Sequence, residues 1–209
     1  MRTKVVLVTG CSSGIGRATA LALAARGDRV YATMRRPAAL AGAEVLQLDV
    51  TDQASVQVAV ETVLDREGRI DAVVNNAGVG AFVPFEHSSD DDWLVTFDTN
   101  LFGPVRVARA ALPAMRAQGD GVIVNISSVA GRVPAIPMQS AYSASKHGLC
   151  VLTDALNAEC RAFGVRAVCI EPGFTATSIM EKHRISGLED DDPYKPVLDN
   201  IEQFFRAGV

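Results

Sequence analysis

Two hydrophobic patterns alternate along this chain. Val5-Val6-Leu7-Val8 is an unbroken apolar run that ends at Thr9-Gly10, as expected of a strand buried on both faces. Residues 14–26 then carry Ile15, Ala18, Leu21, Ala22 and Ala25 at helical spacing, and Gly27 stops them. The alternation continues with strands at 29–33 and 44–48, a helix at 52–66 and a strand at 71–74. Ser89 with Asp92 resembles a capping box that opens a long helix over 90–117, broken by Gly119 and Gly121. A strand at 121–127, a helix at 140–163 closed by Gly164, and a strand at 165–170 follow. Beyond Pro172 the pattern predicts loop and weak helix. Repeated strand–helix units imply a parallel sheet with helices on both faces. The expected fold is α/β, one doubly wound domain over 1–209 with about six parallel strands.

Composition narrows the class. The chain has 209 residues, 48% hydrophobic and 21% charged, which excludes disordered and fibrous proteins. Its net charge of −4 gives no basic bias, so nucleic acid is not an expected partner. No apolar run reaches the ~18 residues of a membrane span, and the N-terminal run is too short for a signal peptide. Cys11, Cys150, Cys160 and Cys169 lack C-x-x-C or disulfide-scaffold spacing. They read as free thiols of a cytoplasmic protein. The acidic runs at 90–92 and 190–192 read as a helix start and a solvated loop, and no metal is expected.

Thr9-Gly10-Cys11-Ser12-Ser13-Gly14-Ile15-Gly16 lies directly between the first strand and the first helix. Gly10 permits a tight turn, Gly14 lets the backbone approach a diphosphate, and Gly16 lets helix pack on strand. The unpaired N–H groups and positive dipole of the helix start suit that anion. Dinucleotide binding is the expectation. Gly10-x-Ser12-x-Gly14 also matches the nucleophile elbow of an α/β-hydrolase. An esterase using Ser12 is a remote alternative, because the elbow falls on the first strand and neither His87, His147 nor His183 obviously returns to it. The second strand ends in Arg35-Arg36 with no acidic residue to hold a ribose 2′-hydroxyl. Two arginines there suit a 2′-phosphate, which favours NADP(H) over NAD(H).

Tyr142 and Lys146 are spaced to share one helical face. A free tyrosine titrates near pH ~10 and is a poor base. A nearby ammonium favours its phenolate and suits it to exchange protons with a carbonyl or carbinol oxygen. Ser127-Ser128 ends the fifth strand, at the side where open parallel sheets bind ligands.

Together these motifs resemble the short-chain dehydrogenase/reductase family, in particular its steroid and retinol dehydrogenase-like branch. They run in order through Thr9-Gly10-x-x-x-Gly14-Ile15-Gly16, Asp49-Val50, Asn75-Asn76-Ala77-Gly78, Asn100, Ser128, Tyr142-x-x-x-Lys146 and Pro172-Gly173. The resemblance implies that Tyr142 is the general acid/base, that Lys146 lowers its pKa and holds the nicotinamide ribose, and that Ser128 orients the substrate oxygen. Asn100, in a kink of the long helix, would anchor a relay water. Asp49 and Val50 would meet the adenine, and Asn76, Ala77 and Gly78 the adenosine ribose. Ser12 and Arg35 would contact the 2′-phosphate, Ser13 would line the cofactor site, and Pro172, Gly173 and Thr175 would hold the carboxamide. Asn75 is expected to be structural.

The implied activity is hydride transfer between NADP(H) and a hydrophobic carbonyl/alcohol pair. Phe82, Val83, Phe85, Ile136, Met138, Phe174, Ile179 and Met180 are candidate pocket residues, and 174–209 would form a substrate loop and tail. A homodimer through the two long helices is expected. The Ser128–Tyr142 spacing is one residue longer than the family's usual, and the family's seventh, edge strand has no counterpart in the pattern. A cofactor-binding but inactive sensor or truncated scaffold is the alternative.

Overall fold

Leu7 packs into one hydrophobic core and its neighbours Val6 and Val8 into another. Successive side chains of a strand point to opposite faces, so β1 (Val5–Val8) needs apolar residues at every position. This is a computed structural model, and it describes residues 2–133, 136–173, 175, 184–185 and 187–206. Around β1 lie β2 (Arg29–Met34), β3 (Glu44–Gln47), β4 (Ala72–Asn75), β6 (Gly121–Ile126) and β7 (Val165–Ile170). They form a six-stranded parallel sheet in the order β3-β2-β1-β4-β6-β7. The chain moves outward from β1 to β3, then crosses back to β4. That reversal opens a crevice at the carboxyl ends of β1 and β4, where open α/β sheets bind ligands. The doubly wound expectation holds.

Helix α1 (Gly14–Ala25) covers the Val6/Val8 face, with Ala20 fully buried. Helices α2 (Gln53–Glu67) and α4 (Gly103–Gln118) cover the Leu7 face through Val56, Val60, Val107 and Met115. Helix α5 (Ser140–Cys160) packs against β7.

The long helix expected over 90–117 is divided. The capping box forms as read, with Ser89 N–H donating to Asp92 Oδ2 (3.0 Å) and Ser89 Oγ accepting from Asp92 N–H (3.2 Å). It opens α3 (Asp90–Phe97). A π-helical turn (Asp98–Phe102) follows, and Gly103 N–H donates back to Asp98. Pro104 has no N–H to give the Asn100 carbonyl, so an ordinary α-helical ladder cannot run through this point. The turn widens the helix where Asn100 faces inward.

The tail differs from the expected loop and weak helix. β8 (Arg184–Ile185) pairs in parallel with β5 (Ala81–Phe82). α6 (Lys195–Arg206) buries Leu198 against Phe82 and Met138, with Tyr194, Val197 and Ile201 beside it. Among the described residues no seventh strand joins the main sheet, and β7 is its last strand.

Candidate active site

The glycine-rich turn owes its shape to neighbours on β4. Gly10 adopts φ +73° and Gly14 φ +59°, both in the left-handed region. Thr9 Oγ1 accepts from the N–H groups of Asn76 and Ala77, each at 3.0 Å. Asn76 Nδ2 donates to the Thr9 carbonyl (3.0 Å) and the Gly10 carbonyl (3.2 Å). Asn76, expected beside the adenosine ribose, thus spends its amide on clamping the turn, and Ala77 packs against Gly10. The first turn of α1 holds no acidic side chain. Ser12 is exposed, and no hydrogen bond joins it to His87 or His147. His147 faces the Gly131 carbonyl, His87 packs on Tyr194, and His183 lies outside the described residues. Among the described residues nothing builds the hydrolase triad.

Asn100 is fully buried. Its Oδ1 accepts from Val79 N–H (2.9 Å), and its Nδ2 donates to the Val79 carbonyl (2.9 Å) and Ser145 Oγ (3.1 Å). The π turn is therefore pinned both to the loop after β4 and to α5. Lys146 is also buried, and its Nζ donates to the Ile126 carbonyl at the end of β6 (2.8 Å). A Cβ on Gly78 would lie 3.3 Å from Asn100 Oδ1 and 3.6 Å from Lys146 Nζ. Bare backbone at Gly78 keeps that space open.

Ser128 follows β6 and its side chain hydrogen-bonds Tyr142. Its Oγ also accepts from Ala130 N–H at 3.2 Å. Lys146 Nζ sits 5.8 Å from the centre of the Tyr142 ring. Ser128, Tyr142, Lys146 and Asn100 thus converge at the crevice. The expected electrostatics are corrected, however. Burial raises the Tyr142 pKa above its ordinary value, and the Ser128 bond offsets this only in part. Burial also lowers the Lys146 pKa to about 8. The buried ammonium has its own desolvation cost, and the Tyr142 shift is set by burial and the Ser128 bond.

Farther out, Arg35 is exposed just beyond β2. Asp49 lies close enough to feel it. Burial raises the Asp49 pKa, but two Thr51 hydrogen bonds and the charges of Arg35 and Arg106 bring it below the usual carboxylate range. Val50 is buried against Gly103, and its carbonyl accepts from Arg106 (3.2 Å). The Pro172 carbonyl accepts from Val129 N–H (2.9 Å), and Thr175 Oγ1 donates to the Gly173 carbonyl (3.1 Å). Asn75 is structural as expected: it donates to Asn125, which donates to Thr153 on α5.

Of the pocket candidates, Phe82, Val83 and Met138 are buried, and Ile136 packs with them. Phe85 is 67% exposed and contacts Trp93 instead. Phe174, Ile179 and Met180 lie outside the described residues. The loop before α5 holds Met138 at φ +65°, a left-handed conformation at a non-glycine residue. Its carbonyl is fixed by Val83 N–H at 2.9 Å. Ser145 was missed as a site residue. It lies three residues after Tyr142 on α5, and that helical spacing is the signal that could have found it.

The sequence profile of the short chain dehydrogenase family matches residues 4–186. A 3-ketodihydrosphingosine reductase of Bacteroides thetaiotaomicron is 38% identical over 214 aligned residues, covering 100% of this chain and 79% of that protein. Human 17-beta-hydroxysteroid dehydrogenase type 1 is 40% identical over 87% of this chain and 60% of its own length. A solved short chain dehydrogenase/reductase from Burkholderia phymatum, in complex with NAD, superposes with a TM-score of 0.85. It is 31% identical, over 98% of this chain and 79% of that one.

Proposed function

The chain belongs to the short-chain dehydrogenase/reductase family, and from that premise we propose that it reduces a hydrophobic ketone or aldehyde with NADPH, Tyr142 giving the proton. The observation that carries this reading is the convergence of Ser128, Tyr142 and Lys146 beside the bare backbone of Gly78. The cradle fits a dinucleotide. Gly10 and Gly14 turn the backbone back on itself, α1 offers an N-terminus free of acidic side chains, and Gly78 leaves room next to the Lys146 ammonium.

Such a cofactor supplies or accepts the hydride. This chain's residues handle the proton and the geometry. Ser128 Oγ and Tyr142 Oη together hold the substrate oxygen. Tyr142, kept neutral by burial, donates its proton to that oxygen as it gains negative charge. A phenol that stays protonated suits reduction over oxidation. Lys146, fixed by the Ile126 carbonyl, stands behind the phenol and has N–H groups to spare for a ribose. Asn100 acts through others: it holds Val79 and Ser145, and so the frame around Lys146. Asp49 and Val50 would border the adenine, Ser12 and Ser13 the phosphates, and Pro172, Gly173 and Thr175 the carboxamide.

Arg35, with no acid at the end of β2, supports a 2′-phosphate and hence NADP(H). The apolar wall of Phe82, Met138 and Leu198 supports a hydrophobic substrate and a substrate-binding role for the segment from 174. Two relatives, the 3-ketodihydrosphingosine reductase and the 17-beta-hydroxysteroid dehydrogenase, support the same reading. Phe102 on the π turn and Val151 on α5, each about half exposed on elements that pack together, support a homodimer through this side. Four free cysteines suit a reducing, cytoplasmic compartment.

Titration with NADPH and NADH, followed by nucleotide fluorescence, tests the reading. NADPH is expected to bind at least tenfold tighter than NADH, and Arg35→Glu is expected to remove that preference. Failure of both nucleotides to bind would overturn it.

A further inference from the structure

Cys150 on α5 and Cys169 on β7 are 19 residues apart, yet their sulfurs lie 3.5 Å from each other. Glu171 follows directly on the end of β7, two positions after Cys169, and its side chain reaches the same place. Glu171 Oε1 is 3.5 Å from Cys150 Sγ. The three ligand atoms all lie within 4.8 Å of one another. In a tetrahedral zinc site, bonds of about 2.3 Å to sulfur and about 2.0 Å to oxygen put sulfurs roughly 3.8 Å apart and sulfur and oxygen roughly 3.5 Å apart. The Cys150 sulfur already stands near those separations from both Cys169 and Glu171.

An outer layer of polar groups supports them, as metal ligands require. Ser127 Oγ lies 3.2 Å from Cys150 Sγ, and the Thr153 side chain hydrogen-bonds Cys169. Arg132 Nε donates to Glu171 at 2.8 Å. Two thiolates and a carboxylate around a divalent ion leave one net negative charge, and the Arg132 guanidinium offsets it. Cys150 is buried, whereas Cys169 and Glu171 are half-buried, so one side opens toward solvent and can admit an ion and a water.

We propose that Cys150, Cys169 and Glu171 form a binding site for a thiophilic divalent cation of the zinc class, with water as fourth ligand. Binding replaces two thiol protons with two metal–sulfur bonds and releases both protons to solvent. The site is separate from the hydride-transfer centre but coupled to it. Cys150 lies one helical turn beyond Lys146, and Ser127, which accepts from Cys150, donates to the Lys146 carbonyl at 2.9 Å. A bound ion would tie that turn of α5 to β7.

The test uses the full chain, reduced and freed of metal, titrated with Co2+ and then Zn2+. One Co2+ per chain is expected, with a thiolate-to-cobalt charge-transfer band and the visible absorption of a tetrahedral ion. Zn2+ is expected to displace it and to raise the thermal midpoint. Cys169→Ser, at a half-buried position, should lose the band and the thermal shift. Glu171→Gln should weaken Co2+ at least tenfold, and Cys160→Ser should change neither. No thiolate band in the wild type would overturn the site. So would a band that survives Cys169→Ser, or loss of two hydrogens by mass without metal uptake, which would make the pair a disulfide.

Discussion

A methyl group on Gly16 would collide with Nδ2 of Asn76, the same amide that holds the Thr9 and Gly10 carbonyls. The glycine-rich turn and the end of β4 are therefore one unit. Gly16→Ala must either push Asn76 off its carbonyls or lift α1 from the sheet, because the added carbon would also come within 2.6 Å of the Gly10 oxygen. We expect a loss of roughly 1–3 kcal/mol in urea unfolding, typical of overpacking, and at least tenfold weaker NADPH binding. Asn76→Ala relieves part of the collision, so the double variant should be more stable than the two losses added together. Strict additivity would separate the turn from β4.

Asn100 offers a second test, on the frame of the site. Its side chain satisfies both backbone groups of Val79 in a fully buried place. Asn100→Leu keeps the branching and number of heavy atoms and strands those groups. At about 1–3 kcal/mol for each buried group left unpaired, the variant should lose roughly 2–6 kcal/mol in denaturant unfolding. Ser145→Ala, which removes only one partner of Asn100, should lose about 1 kcal/mol. Equal losses for the two would contradict the assignment.

Lys146 should make stability depend on pH. Burial holds its folded pKa at about 8, against about 10.4 for an unfolded lysine. Between these values the unfolded chain binds the extra proton, so stability rises with pH; below pH 8 the full cost of the buried ammonium is present. Cys11 and Cys169 act oppositely. Burial raises their folded pKa values to about 11 and about 12, so the stability they contribute is lost above pH 9. Comparison with Lys146→Met isolates the lysine. Between pH 7 and pH 9 the wild type should gain about 1 kcal/mol relative to the variant. A constant difference would mean that the ammonium is not buried as described.

Much of this was legible in the residue pattern, because the physics at those positions is local. Val5–Val8 had to be a strand with both faces covered, and Gly27 and Gly164 marked where α1 and the turn after α5 stop. Ser89 and Asp92 announced their capping box. What the pattern hid depends on chain segments meeting in space. β8 spans only Arg184–Ile185, too short for any periodicity, and exists because Ala81–Phe82 lies beside it. The role of Asn76 as a clamp required knowing that β4 ends against the turn. Tyr142 and Lys146 were correctly placed as neighbours, but their spacing carries no information about burial, and burial reverses the expected direction of the Tyr142 shift. Cys150 and Cys169 meet only because α5 folds back onto β7.

The most direct test of the account is Tyr142→Phe, assayed for both NADPH binding and NADPH-dependent reduction of a panel of apolar ketones. The phenyl ring keeps the packing and removes only the hydroxyl that bonds Ser128. NADPH affinity should stay within about threefold of wild type. The single-turnover reduction rate should fall by roughly 10²–10⁴, the worth of a positioned general acid. A Tyr142→Phe variant that reduces ketones at the wild-type rate would contradict the account.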